Sequence, residues 1–135
     1  MVKIRLLCPI ASLHAEVDGS SDIFGTHDII DNVEKKLYND FGIVCTIHID
    51  PIVTDDETVT SMRMMINDIV KQTDSSWDIH DFRMVSGATH TNLIFDVVIP
   101  FECKLGNEQI IEIINKKVKN TLGDSYFVVL TIDKG

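Results

Sequence analysis

The sequence predicts an α+β fold of two small modules, ββαβ over residues 1–51 and αββαβ over residues 52–135, each a mixed sheet with helices on one face. Three observations predict it. A strand–helix–strand plan occurs twice, once from Ala11-Ser12-Leu13-His14-Ala15-Glu16-Val17 to Thr46-Ile47-His48-Ile49-Asp50, and again from Leu93-Ile94-Phe95-Asp96-Val97-Val98-Ile99 to Val129-Leu130-Thr131-Ile132-Asp133. A repeat sets the unit that has to bury a core, so it is read before the fold. Apolar residues alternate in the strand segments and recur at helical spacing between them. No Gly/Ser/Pro-rich stretch divides the halves, so the modules are expected to pack together without a flexible linker.

The elements follow in chain order. Residues 2–7 form a short strand that Pro9 interrupts. Residues 11–17 alternate, with Leu13, Ala15 and Val17 on one face and Ser12, His14 and Glu16 on the other. Residues 18–25, rich in Gly, Ser and Asp, read as a loop. Thr26 caps a helix to Phe41 with Ile29, Ile30, Val33, Leu37 and Phe41 as its stripe, and Gly42 ends it. Residues 43–49 form an alternating strand, with Ile43, Cys45, Ile47 and Ile49 on one face and Val44, Thr46, His48 and the following Asp50 on the other.

Pro51 and Asp55-Asp56-Glu57 mark the junction between modules, and those acids suit the positive end of a helix over 56–72. Its stripe is Val59, Met62, Met65, Ile66, Ile69 and Val70, read as core. Strands follow at 78–85 and 91–99 around a Ser86-Gly87 turn, then a helix at 107–122 and a strand at 125–133. Each strand–helix–strand passage predicts parallel strands joined by a right-handed crossover. A three-stranded sheet with one bare face is marginal, so dimerisation is expected.

Composition bounds the function. With 135 residues and 44% hydrophobic content the chain can bury a core. A net charge of −9 argues against nucleic acid and anionic membrane surfaces as partners. No segment has the ~20 apolar residues of a membrane helix. Cys8, Cys45 and Cys103 are odd in number and scattered, which predicts free thiols in a reducing compartment.

The candidate chemistry lies in the first copy. Aligned without gaps at the last strands, His48 falls on Thr131, Asp50 on Asp133 and His27 on Ile110, and in the opening strands His14 falls on Asp96, so these imidazoles have no counterpart in the second copy. If the apolar faces of both strands meet the helix, His14, His48 and Asp50 share the opposite face. Imidazole nitrogen with carboxylate oxygen suits zinc, and equally manganese, iron, cobalt or nickel. His27 stands four residues before Asp31, a spacing that lets the carboxylate approach and orient the ring. Each of these histidines can equally be an ordinary surface residue. His80-Asp81-Phe82-Arg83 reads as an ion-paired strand opening, His90 as solvated, and Lys116, Lys117 and Lys119 as dipole compensation at a helix end. No phosphate-cradling loop, nucleophile elbow or Cys–His signature occurs, so no enzyme is expected.

These residues resemble the cytosolic C-terminal domain of the cation diffusion facilitator (cation efflux) transporters, in tandem form. His80-Asp81-Phe82-Arg83 is similar to that family's opening "HDLR" strand; Leu13-His14-Ala15-Glu16-Val17, Thr26-His27-Asp28 into Asp31-Asn32-Val33-Glu34, and Ile47-His48-Ile49-Asp50-Pro51 are similar to its "hVEV", "AHxxADxVE" and "hHxxP" segments. The resemblance implies a metallochaperone-like, ferredoxin-like fold, a homodimer, and a cytoplasmic regulatory role for the transmembrane domain of a transporter. It implies metal ligation by His14, His27, His48 and Asp50, with His80 as the opening-strand ligand. The implied metal is divalent, zinc first, with manganese, iron, cobalt, nickel or cadmium as alternatives. Other readings are a structural dimerisation module that has lost the metal, a ferredoxin-like small-molecule sensor, and a metal-dependent hydrolase with an open water position.

Overall fold

The computed structural model describes residues 8–135; the strand expected at 2–7 lies outside the described residues. The described chain is α+β, with five strands in mixed pairing and three helices. It divides into two compact units, Met1–Pro51 and Ile52–Gly135.

In the first unit β1 (Ile10–Asp18) leads through α1 (Ile23–Phe41) to β2 (Val44–Ile52). The helix begins three residues ahead of the expected Thr26 cap. Asp22 caps it instead, accepting the Gly25 N–H at 2.7 Å, because a carboxylate at the cap satisfies an orphan donor at least as well as a threonine hydroxyl. The short turn before it is held by Asp18, which accepts the Ser20 N–H at 2.8 Å. Gly42 ends α1 at φ 66°, a left-handed position that favours glycine, with its N–H on the Tyr38 carbonyl. β2 runs on through Pro51 to Ile52, three residues beyond the expected strand end. β1 and β2 are hydrogen-bonded neighbours. The Val44 N–H bonds the Pro9 carbonyl at 2.9 Å, and farther along His14 lies beside His48. A near-constant residue offset between partners marks strands that run in the same direction.

The second unit opens with Ile52, which pairs antiparallel with Val85. It continues through α2 (Asp56–Thr73), β3 (Asp78–Ser86), β4 (Thr91–Ile99), α3 (Asn107–Leu122) and β5 (Tyr126–Lys134). β3 and β4 are antiparallel, whereas β4 and β5, joined by α3, are parallel, as the crossover predicts. The β3–β4 register shifts between His80 and Arg83, and Asp81 within that bulge has φ 51°.

The core of the chain lies in this unit. Leu93, Phe95, Val97 and Ile99 project from one face of β4 and meet Ile66, Ile69 and Val70 of α2 and Ile110, Ile114 and Val118 of α3. Trp77 is buried at the turn between α2 and β3. Met65, expected in the α2 stripe, is exposed; Val59 and Met62 are half-buried against the core. No helix of the described residues is long and apolar enough to cross a membrane.

Phe95→Ala is expected to cost ~3–5 kcal/mol in urea unfolding, since it removes a sealed aromatic ring. Phe41→Ala, on an exposed helix end, is expected to change stability by less than ~0.5 kcal/mol.

Three surface carboxylates in this unit are held below the ordinary value of 3.8. The Thr58 hydroxyl acts on Asp55, the Ser76 hydroxyl on Asp74, and the Lys71 ammonium on Asp78. A depressed folded-state pKa contributes stability that is whole above the unfolded value and is lost as pH falls through the folded value. The urea midpoint should therefore fall below about pH 4, less steeply in Asp78→Asn, when followed from pH 6 down to about pH 2.5.

Candidate metal centre

The strand alternation of the first unit places its polar side chains together. Cys45 is buried and Ile47 and Ile49 are half-buried, which turns Thr46 and His48 outward. On β1, Ala11, Ala15 and Val17 are half-buried while Ser12, His14 and Glu16 are exposed. Parallel pairing then brings His14 and His48 side by side, with ring centroids 5.0 Å apart and planes tilted by 58°.

Asp50, two residues beyond His48 on the same strand face, completes the group. Its Oδ2 lies 2.9 Å from His14 Nδ1 and its Oδ1 3.4 Å from His48 Nε2. The carboxylate is 17% exposed, against 67% and 68% for the two imidazoles. One ligand atom from each residue lies within 4.8 Å of the others. A tetrahedral ion with bonds of ~2.0–2.1 Å needs ligand atoms ~3.3 Å apart. Three such donors could hold a divalent ion and would leave a fourth position open. Binding requires deprotonated donors, so any proton shared between Nδ1 and Oδ2 must leave when a metal enters.

Glu34 positions β2 from the helix side. Its Oε1 accepts the half-buried Ile47 N–H at 2.8 Å, one residue before His48. The sequence reading placed Glu34 only within a motif. The signal that could have revealed it is an acidic residue among Thr26, Ile30 and Leu37, on the α1 face turned toward the strands.

The other expected ligands lie elsewhere. His27 is exposed on α1 and is not part of the three-residue group. Asp31 does not hold the His27 ring; its carboxylate bonds the Lys35 ammonium at 2.5 Å. That bond holds Asp31 below the ordinary carboxylate range, with the nearby His27 adding to the effect. His80 belongs to the second unit, where it lines a hollow of about 360 Å³ with Arg63, Ile79, Asp81 and Phe82. His90 is not simply solvated: its Nδ1 lies 3.0 Å from the Thr89 hydroxyl and its ring is edge-on to Phe127 at 5.5 Å. Lys119 covers the same ring, 5.3 Å from its centroid.

Residues 9–52 match the family model described as the cation efflux protein, cytoplasmic domain. The first unit carries that domain pattern. The match spans β1, α1 and β2 with the whole three-residue group, and it confirms the resemblance read from Leu13 to Pro51. His80-Asp81-Phe82-Arg83 lies outside the matched stretch. No curated protein and no solved structure matches the chain. The matched family is not an enzyme family.

Glu34→Ala should leave the Ile47 N–H without its charged acceptor, at a cost of ~1–3 kcal/mol. Amide exchange at Ile47 and His48 should accelerate, while Glu34→Gln keeps an acceptor oxygen and most of the protection. Hydrogen exchange read by NMR checks both.

Proposed function

We propose that this chain is a cytosolic regulatory and dimerisation module of a cation efflux transporter, and that its first unit senses a divalent transition metal, zinc first. The observation that carries this reading is the His14/His48/Asp50 group within a segment that matches the cation efflux cytoplasmic domain. The open fourth position would take water or a group from a second protomer. In the last case metal would draw two copies together and act on the transmembrane domain of the parent transporter. The family resemblance offers His80 only as an opening-strand ligand within the second unit.

The second unit reads as a tandem copy that has given up the metal. Asp96 and Thr131 are direct neighbours in the β4–β5 register, just as His14 and His48 are neighbours across β1 and β2. Both crossover helices end at a glycine of positive φ, Gly42 and Gly123. An aspartate and a threonine in place of two imidazoles favour a scaffold role for this copy.

Calorimetric titration of the metal-free protein with zinc should give about one site per chain at micromolar affinity or tighter. His48→Ala should weaken it at least ~30-fold, and binding should decline below about pH 6 as imidazole protonates. Absence of any site tighter than ~1 mM would remove the sensing role. An affinity equal at pH 7.5 and about pH 5.5 would exclude histidine ligation.

A further inference from the structure

In the second unit β3 breaks its own alternation at one place. Consecutive strand residues point to opposite faces, yet Ile79, His80, Asp81 and Phe82 all line one hollow of about 360 Å³, together with Arg63 of α2. The cause is the bulge between His80 and Arg83, where the register with β4 shifts and Asp81 takes φ 51°. A bulge bends its strand and re-aims the side chains it carries. Among the described residues Asp81 is the one non-glycine residue with positive φ. Aspartate tolerates that region better than most residues, but still at a cost, and residues held there gather at ligand sites.

The walls of the hollow are fixed and its charges are free. Ile79 and Phe82 are half-buried against the core, and the Phe82 ring lies 6.2 Å from that of the sealed Phe95. Arg63, His80 and Asp81 are exposed. Arg63 and Asp81 form no ion pair, with each other or with any other described residue. Lys71, one helix face away, is instead committed to Asp78 at 2.7 Å.

Charge selects the occupant. A guanidinium presents a planar fork that matches a carboxylate, and a carboxylate accepts from an ammonium. A simple anion in the hollow would meet Asp81 and a simple cation would meet Arg63, whereas a molecule that carries both charges turns each repulsion into a contact. We infer that this hollow binds a small zwitterion, an α-amino acid with an apolar side chain. Its carboxylate would lie on Arg63, its ammonium on Asp81 and its side chain against Ile79 and Phe82. The volume falls within the ~300–1,000 Å³ of small-molecule sites. The hollow lies wholly in the second unit and shares no residue with the His14/His48/Asp50 group.

The test uses the full chain in excess chelator, so that no metal bridges ligand and protein. L-valine, L-leucine, L-isoleucine, L-methionine and L-phenylalanine are screened by thermal melting and then titrated by calorimetry. At least one should raise the melting temperature and bind saturably at ~1 mM or tighter. The amine and the acid that each carry only one of its charges (for leucine, isopentylamine and 4-methylpentanoate) should bind at least ~10-fold more weakly. Arg63→Gln and Asp81→Asn should each lower affinity at least ~10-fold. Should one of them unfold the chain, the other, on a different element, gives the reading. No binding by any of the five at ~10 mM overturns the proposal. So does equal binding of a single-charge analogue, which would make the hollow a plain ion site. Binding indifferent to both variants overturns it too, because the ligand would then sit elsewhere. The zinc titration of Arg63→Gln should match that of the parent chain, so this inference and the metal reading fail separately.

Discussion

The candidate site depends on β1 and β2 running side by side in the same direction, with α1 crossing between them. With Val44 bonded to Pro9, an antiparallel pair, which keeps the sum of partner numbers constant, would carry His14 and His48 away from each other. The parallel pair keeps the offset constant, so two histidines 34 positions apart stay together. The Pro9–Val44 bond fixes the offset at one end, and Glu34 secures β2 beside His48. Parallel strands need a crossover of a dozen or more residues, and α1 supplies it with one glycine stop. Thus the capping by Asp22, the glycine at 42 and the carboxylate at 34 serve a site none of them touches.

The two units bury their apolar faces to different extents. In the second, three elements close on β4, and its apolar face is fully withdrawn from water. In the first, one helix covers two strands, and among the described residues only Cys45 is buried. Burial of apolar surface is the main term favouring folding, so the first unit has little of its own to resist opening. An ion held by His14, His48 and Asp50 would supply part of what is missing, because binding to a folded site is folding free energy.

Much of this was legible in the chain. The bounds of β4 and α3 are legible because Thr91–Ile99 is an apolar, β-branched run following the Ser86-Gly87 turn and Asn107–Leu122 is framed by glycines. The start of α1 was missed because Asp22 and Thr26 are both competent caps, and the sequence does not say which backbone donor is orphaned. The end of β2 was missed because Pro51 suggests a break, although a proline can remain within a strand where its nitrogen owes no ladder bond. The grouping of His14, His48 and Asp50 followed from alternation plus one crossover. The Asp50 carboxylate lying between the rings did not, since it depends on rotamers. The exposed state of Ile29 and Val33 was also hidden. A helical stripe shows which residues want cover, and the neighbouring elements decide whether they receive it. Met65 failed for the same reason, one turn from residues that α3 and β4 do cover.

The candidate metal group and the apolar side chains of β1 lie on opposite faces of the strand. His14 projects from β1 on the polar side, and Leu13, its chain neighbour, belongs to the apolar side. An ion held by His14, His48 and Asp50 would tie β1 to β2 and narrow the range of positions open to Leu13.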